Sequence, residues 1–142
     1  MKQTFVLHSL AELPTLLKTL MPVLTLGTLV TLTGPLGVGK TTIVQGIAKQ
    51  LGYLGHVSSP TFTIMKLYPL KHGRLLHVDA YRLEGASGFG LEDEMGEDTI
   101  TFVEWPEKLS TLPYAKHQLH LTLSFLEGSS RLVTIKEEVT SK

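Results

Sequence analysis

One stretch of the chain combines glycines, a lysine and hydroxyl residues at the spacing of a phosphate-binding loop. It follows the pattern G-x-x-x-x-G-K-[ST] at every fixed position. Backbone N–H groups can surround a triphosphate only where side chains leave room, and glycines leave that room. Lys40 adds a positive charge for the β and γ phosphates, and the Thr41 hydroxyl is suited to Mg²⁺. The motif predicts an ATP or GTP site, formed by Gly34, Gly37, Val38, Gly39, Lys40, Thr41 and Thr42.

The flanking residues support this interpretation of the loop. Residues 28–33 are apolar and β-branched, which predicts a buried strand entering the loop. Residues 42–51 carry Ile43, Ile47 and Leu51 at helical spacing, and Gly52 is a stop signal. The alternative is a glycine-rich turn whose lysine points into solvent. A strand, a complete motif and a helix in this order favour the nucleotide site.

Two other predicted strands end in carboxylates that compete for one role. Residues 74–79 end in Asp79, and residues 99–104 end in Glu104. Carboxyl ends of buried strands face the crevice where α/β folds bind ligands, so either acid is a candidate to support Mg²⁺ or orient a water. Asp79 is also suited to cap a following helix, and the two roles are compatible. Spacing alone does not decide between the two acids.

Two further side chains near these acids are candidates for contact with a nucleotide. Trp105 follows Glu104 directly and is suited either to shield the nucleotide or to pack at the rim of the core. Arg82 lies three residues after Asp79, where its charge is available for the γ-phosphate in cis. Residues 58–63 are rich in hydroxyl groups around Pro60. They suit a loop that senses the γ-phosphate or an ordinary turn, with equal support for each.

The rest of the chain predicts a simple α/β arrangement. A short strand at residues 4–7 precedes a possible capping box from Ser9 to Glu12 and a helix that ends by Pro22. Residues 62–70 and 74–79 suggest one hairpin, and residues 117–123 and 132–135 suggest another. Residues 84–98 predict a connector with one helical turn, and residues 137–142 a frayed tail. The fold class is α/β: a P-loop NTPase-like domain with a mixed, mostly parallel sheet flanked by helices and a C-terminal β-hairpin.

Composition limits the classes of protein and of partner. A chain of 142 residues is expected to form one domain, and the absence of cysteine excludes disulfides and thiolate zinc sites. No apolar run reaches the roughly 20 residues of a membrane span, and no signal peptide is evident, so a cytoplasmic location without membrane contact is expected. The 13 basic residues balance 13 acidic ones, which disfavours autonomous nucleic-acid binding.

Four sequence blocks together resemble the TsaE family, also called YjeE. They are the phosphate-binding loop, Ser59-Pro60-Thr61-Phe62-Thr63, His77-Val78-Asp79-Ala80-Tyr81-Arg82-Leu83 and Val103-Glu104-Trp105-Pro106-Glu107. The phosphate loop alone fits many families, whereas the other three blocks at this spacing are specific. The resemblance extends from Ser9 to Arg131. The sequence departs from the family pattern at Pro35, where the family often has an acidic residue.

The resemblance implies a small bacterial P-loop ATPase. It implies that the protein works with TsaB and TsaD to make threonylcarbamoyladenosine beside the anticodon of certain tRNAs, so that tRNA is reached through the complex. By the same resemblance, Thr41 and Glu104 hold Mg²⁺ and Asp79 is the catalytic or switch acid. Ser9 and Arg131 correspond to contacts with the base and the ribose.

Two other functions remain compatible with the residues themselves. A small-molecule kinase shares the loop and the Mg²⁺ chemistry, but it also needs an acceptor site and an arginine-bearing lid. The chain has three scattered arginines and no insertion of lid length, which weakens that alternative. The second compatible function is that of a regulatory module that binds nucleotide without hydrolysing it. No guanine-specific N-K-x-D motif occurs, which favours ATP over GTP.

Overall fold

The computed structural model describes residues 2–58, 65–83 and 90–140. Within these ranges seven strands form one sheet: β1 (Lys2–Leu7), β2 (Leu29–Thr33), β3 (Met65–Pro69), β4 (Arg74–Asp79), β5 (Thr99–Glu104), β6 (His117–Phe125) and β7 (Arg131–Val139). The α-helices are α1 (Leu13–Leu20), α2 (Lys40–Gln50) and the single turn α3 (Leu91–Glu94). Short 3-10 turns lie at Leu10–Glu12, Met21–Val23 and Pro106–Lys108.

The sheet is mixed, with a parallel centre. Its spatial order is β1-β7-β6-β2-β5-β4-β3, in which β6, β2, β5 and β4 run parallel to one another. The outer pairs β1–β7, β7–β6 and β4–β3 are antiparallel. The predicted α/β class, mixed sheet and C-terminal hairpin are confirmed. Because β2, β4 and β5 are parallel, the phosphate loop, Asp79 and Glu104 all follow strands at the same edge of the sheet.

Alternation along the strands divides the core between two faces. On one face the strands pack against α1 and α2, and the two helices meet where Gly46 of α2 lies beneath Leu17 of α1. A β-carbon on Gly46 would lie 2.9 Å from the Leu17 side chain, so glycine permits this close helix packing. The other face is covered by α3 and the segment around Leu109 and Ala115. None of the helices in the described ranges combines the length and apolar composition needed to cross a membrane.

The start of α1 explains how the chain tolerates Pro14. The helix begins at Leu13, so Pro14 lies in the first turn, where the missing N–H has no helical partner to lose. The Ser9 hydroxyl accepts from the Ala11 N–H at 3.3 Å, and the Glu12 carboxylate accepts from the His8 N–H at 2.6 Å. The predicted capping residues are therefore both used, with the carboxylate reaching one residue farther back than in a standard capping box.

The prediction of a frayed tail after residue 136 is wrong for residues 137–139. They continue β7, where Glu137, Glu138 and Val139 pair with the first three residues of β6. Glu137 and Glu138 reach two histidines of β6, so this polar end of the strand is tied to the sheet by side chains. The expected single helical turn is present as α3. The first residues predicted for the hairpin strand, 62–64, lie outside the described residues.

Candidate functional site

The phosphate loop has the backbone that its glycines predict. It runs from the end of β2 into α2, and Gly37 and Gly39 adopt φ values of +79° and +117°. These left-handed conformations are strained for residues with a β-carbon. Gly34 is required for a different reason, because a β-carbon there would lie 2.6 Å from the backbone oxygen of Leu123. The glycines therefore allow both the turn and its close approach to β6.

Lys40 is more buried than a loop lysine is expected to be. It is the first residue of α2, only 5% of it is exposed, and its ammonium lies 3.8 Å from the centroid of the Trp105 ring. The ammonium donates to the backbone oxygens of Gly34 and, at 3.2 Å, Pro35. Burial lowers the pKa of Lys40, and the carboxylates of Glu104, Glu107 and Asp79 oppose this effect.

The Thr41 hydroxyl and the Glu104 carboxylate are in direct contact. The hydroxyl donates to the carboxylate, with distances of 2.8 Å to Oε2 and 3.1 Å to Oε1. On its other side Oε2 lies 2.5 Å from Nε2 of His77. The side chain of Glu104 is 4% exposed and that of His77 is fully buried. A carboxylate at the end of β5 is thus fixed against the hydroxyl that begins α2.

Asp79 lies beside Glu104 and has a different local role. The two residues are register partners on the parallel strands β4 and β5. The Asp79 carboxylate accepts from the Tyr81 N–H at 3.0 Å, which orders the turn at the end of β4. Asp79 therefore stabilises a turn instead of capping a helix. Among the described hydrogen bonds, those of the Thr41 hydroxyl go to Glu104 and not to Asp79.

Trp105 forms an aromatic cover over the lysine end of the site. It is the one residue other than glycine with a left-handed backbone, φ +61°, among those the structure describes. Its N–H donates to the Leu32 oxygen at 3.2 Å, which ties this conformation to β2. Its ring lies 4.9 Å from that of Tyr81, and the Lys108 ammonium lies 5.6 Å from the Tyr81 ring. Strained backbone of this kind often marks a functional position.

These groups surround one open pocket of about 200 Å³. Eight predicted site residues and one loop neighbour, Leu36, meet there. The lining consists of Leu36, Gly37, Gly39, Lys40, Thr41, Thr42, Asp79, Glu104 and Trp105. The pocket combines a cation, two carboxylates, two hydroxyls and loop backbone. This is the chemistry needed to bind a phosphate chain together with a hard cation.

A second, apolar pocket adjoins the first through Gly39 and Thr42, which line both. Ser9 and Arg131 contribute to it together with Val38, although they are far apart in sequence. Arg131 donates through Nε to the Val38 oxygen at 3.0 Å, and its guanidinium lies 4.6 Å from the Phe125 ring. The remaining lining includes residues that sequence reasoning did not select: Leu7, Leu10, Leu13, Ile43, Leu123 and Ser129.

Two predicted features are not brought into the site by the described residues. Arg82 lies in the exposed turn after Asp79 and does not line the phosphate pocket. The hydroxyl-rich segment from Ser58 lies largely outside the described residues, which resume at Met65. The most notable omission from the sequence prediction is His77. Its signal was its position two residues before Asp79, which places both on the same face of β4.

Comparison with known proteins identifies similar sequences across most of the chain. The family described as "Threonylcarbamoyl adenosine biosynthesis protein TsaE" matches residues 7–133. A tRNA threonylcarbamoyladenosine biosynthesis protein TsaE from Synechocystis is 47% identical over 96 residues, or 63% of this chain. The chain spans 61% of the length of that relative. A protein of the same name from Borreliella burgdorferi is 34% identical over 117 residues, covering 79% of this chain and 83% of the relative.

A solved structure shares the arrangement of strands and helices. The crystal structure of YdiB from Bacillus subtilis superimposes with a TM-score of 0.72. The two chains are 26% identical, and the match covers 98% of this chain and 86% of YdiB. The match therefore includes the elements that form both pockets.

Proposed function

Because the chain belongs to the TsaE family, we propose that it is an Mg²⁺-dependent ATPase needed to make threonylcarbamoyladenosine in tRNA. The observation that carries this proposal is the contact between Thr41 and Glu104 in a pocket that also contains Lys40. A hydroxyl at the start of the loop helix and a carboxylate at the end of a parallel strand are the pair that P-loop NTPases use around Mg²⁺. The family and the P-loop fold support an ATPase in general.

The residues present fit a magnesium ion. Mg²⁺ prefers oxygen ligands and commonly binds one or two carboxylates together with substrate phosphates. Thr41 and Glu104 supply a hydroxyl and a carboxylate, already adjacent, at the edge of the phosphate pocket. They would hold the ion, which would neutralise phosphate charge. The loop backbone with Gly37, Gly39 and the Lys40 ammonium would bind the phosphates themselves.

Asp79 and Arg82 would act on turnover rather than on binding. Asp79 lines the pocket beside Glu104, where its carboxylate can orient the attacking water. Arg82 directly follows Tyr81 in the turn that Asp79 orders, so a movement of this turn would bring its charge toward the γ-phosphate. Trp105 would cover the phosphate end of the site next to Lys40.

The apolar pocket, whose volume is about 10 Å³, would have to widen to receive the base and the ribose. Ser9 offers a hydroxyl, and Arg131 offers a guanidinium held by the Val38 oxygen. Since Val38, Gly39 and Thr42 connect this pocket to the phosphate loop, one nucleotide can reach both. Apolar lining with few polar groups is typical of nucleoside sites.

We further propose that TsaB and TsaD are the partners and that tRNA is contacted through them in the cytoplasm. The balanced charge of the chain supports an indirect contact with tRNA, because nucleic-acid affinity depends strongly on basic charge. Several large side chains around the phosphate pocket are exposed, including Leu36 and Tyr81. They are available to a partner that orders the turn bearing Arg82.

The experiment is to measure ATP turnover by the pure protein and after addition of TsaB, TsaD and tRNA. Unaided P-loop hydrolysis is on the order of 10⁻⁴ to 10⁻² per second, so slow turnover alone and a clear rise with partners are expected. Arg82→Ala should reduce this rise, whereas Lys18→Ala, an exposed lysine on α1, is the control and should not. Fast turnover by the isolated protein, or no response to the partners, would favour a small-molecule kinase or a free-standing enzyme instead.

A further inference from the structure

Glu104 is held from two sides, and only one of them belongs to the phosphate loop. Thr41 contacts the carboxylate from α2, while His77 contacts it from β4. We propose that His77 is a positioning residue that fixes the Glu104 carboxylate for Mg²⁺ through a hydrogen bond from Nε2. This inference rests on the Mg²⁺–nucleotide site of the proposed function, and it gives a role to a residue outside the pocket lining.

The sheet places His77 where it reaches this carboxylate and no farther. On the parallel strands, Asp79 is the register partner of Glu104 and His77 is the partner of Phe102. Side chains two residues apart point to the same face, so His77 is diagonal to Glu104. Asp79 continues into the pocket, whereas His77 lies one step deeper, beneath the carboxylate. The geometry suits a group that supports a ligand without contacting the nucleotide.

Because His77 is buried, its side chain needs a hydrogen-bond partner. Its side chain is fully buried on the face where β4 and β5 also bear Leu75 and Phe102. A buried polar group that lacks a partner destabilises the folded protein. His77 obtains its partner from Glu104, and Glu104, itself 4% exposed, obtains its second donor from His77. Each side chain therefore accounts for the burial of the other.

Hydrogen-bond accounting identifies the nitrogen that carries the hydrogen. A carboxylate only accepts, so Nε2 must be the donor to Glu104. Nδ1 is buried and has no partner within the described residues. An unpaired acceptor is tolerated more readily than an unpaired N–H, so Nδ1 is the bare nitrogen. The His77 ring is thereby locked as an Nε2–H donor directed at Oε2.

This second donor makes the orientation of Glu104 independent of Thr41. The Thr41 hydroxyl contacts both carboxylate oxygens, whereas His77 contacts Oε2 alone. If Thr41 turns its oxygen toward a cation, the bond from His77 still fixes the plane of the carboxylate. Groups that orient a metal ligand in this way typically change metal affinity by about 10–100-fold when they are removed.

The test compares two amide substitutions that differ in reach. The amide nitrogen of His77→Gln is as many bonds from Cα as Nε2 of histidine, whereas that of His77→Asn corresponds to Nδ1 and falls short of Glu104. Each variant is titrated with Mg²⁺ in the presence of fluorescent ATP, and nucleotide affinity is also measured in EDTA. His77→Asn should raise the Kd for Mg²⁺ by about 10–100-fold. His77→Gln should restore most of the affinity, and affinity in EDTA should be unchanged in both.

Each outcome separates this inference from the proposed function. If the wild-type protein fails to bind ATP with Mg²⁺, the proposed function fails and the inference fails with it. If the wild type binds but folded Asn and Gln variants show equal Mg²⁺ affinities, only the role of His77 is overturned. Should His77→Asn not fold, the ¹⁵N signals of His77 in the wild-type protein decide. The Nε2–H tautomer, with a signal that responds to Mg²⁺–ATP, is expected, and an Nδ1–H tautomer would overturn the proposal.

Discussion

Two of the clusters that the described part of this sheet builds from a threonine, a histidine and a glutamate differ in the order of these groups. In the pocket cluster, Thr41 and His77 both contact the central Glu104. In the second cluster the histidine is central, because His117 contacts Thr28 at 2.7 Å and Glu137 at 2.6 Å. The first lies where β2 and β5 end, and the second lies where β2 and β6 begin.

The order of the groups decides what remains available for a ligand. A central carboxylate that accepts two hydrogen bonds keeps lone pairs that can bind a cation. A central imidazole has only two ring nitrogens, and both are occupied in His117. The side chains of His117 and Glu137 are also more exposed, at 20% and 22%. The same three residue types therefore make a candidate metal site at one end of the sheet and a structural tie at the other.

The largest effect is expected at Lys40, the cation that only the pocket cluster possesses. Lys40→Met should abolish ATP binding and also raise the unfolding temperature of the nucleotide-free protein at pH 7. Burial lowers the pKa of Lys40 from its ordinary 10.5, so the unfolded state binds this proton more tightly. Wild-type stability should therefore rise with pH between the lowered pKa and about 10.5. The difference in unfolding temperature between Lys40→Met and wild type should become smaller over this range.

Thermal unfolding from pH 7 to pH 10.5, without nucleotide or added metal, checks this expectation. Lys18→Met is the matched control, since Lys18 is exposed on α1. If the difference in unfolding temperature between Lys40→Met and wild type increased with pH, burial would not be the cause of the lowered pKa of Lys40. Retained ATP binding by folded Lys40→Met would contradict the phosphate site.

Removing the central charge of the pocket cluster should have the next largest effect. Glu104→Gln keeps the size of the side chain but not its charge, so Mg²⁺-dependent ATP binding should fall by more than about 100-fold. Indirect partners of a metal typically contribute about 10–100-fold, and a direct ligand contributes more. An Mg²⁺ titration of nucleotide binding measures the change, with affinity in EDTA as the internal control. Unaltered Mg²⁺ dependence would remove Glu104 from the site.

Asp79→Asn tests whether the neighbouring acid has a separate role. ATP affinity and its Mg²⁺ dependence should be retained, whereas partner-stimulated turnover should fall by about 10²–10⁴-fold, the usual range for a general base. Equilibrium binding and single-turnover hydrolysis, measured on the same preparation, distinguish the two effects. A larger Mg²⁺ defect in Asp79→Asn than in Glu104→Gln would mean that the roles of the acids are reversed.

The smallest effect is expected from the histidine-centred cluster. His117→Phe removes both hydrogen bonds and should reduce the free energy of unfolding by about 1–2 kcal/mol. ATP affinity and Mg²⁺ dependence should not change, because this cluster is at the opposite end of the sheet from the phosphate loop. Urea unfolding and nucleotide binding provide the two readouts. His72→Phe, in an exposed turn, is the control, and altered Mg²⁺ dependence in His117→Phe would refute the division between the clusters.

Sequence reasoning succeeded where the pattern depends on neighbours along the chain. The residues predicted for β5 are those of the observed strand, and the phosphate loop lies between a strand and a helix as its motif requires. The resemblance to TsaE, and with it the fold class, is confirmed by the family match and by the similarity to YdiB. These features need only local propensity and a recognisable spacing.

Pairings between distant residues were harder to predict. Glu137 appeared to be part of a polar tail because its partner, His117, becomes apparent only once the register of β6 and β7 is known. The sequence did not decide whether Asp79 or Glu104 supports Mg²⁺, because both residues end parallel strands. Only the packing of α2 places Thr41 against Glu104. The burial of Lys40 could not be predicted, because the sequence does not show that Trp105 covers it.

The apolar pocket has a consequence for how the protein becomes competent during synthesis. It joins Leu7 and Ser9 to Ser129 and Arg131, while β1 pairs with β7 along its whole length. A nascent chain that has emerged only to residue 125 has its phosphate loop but lacks one wall of this pocket. Contacts between segments this distant form late, since loop closure must precede them. Full nucleotide recognition should therefore appear only after the C-terminal hairpin has emerged, and truncated chains should bind phosphate without selecting the base.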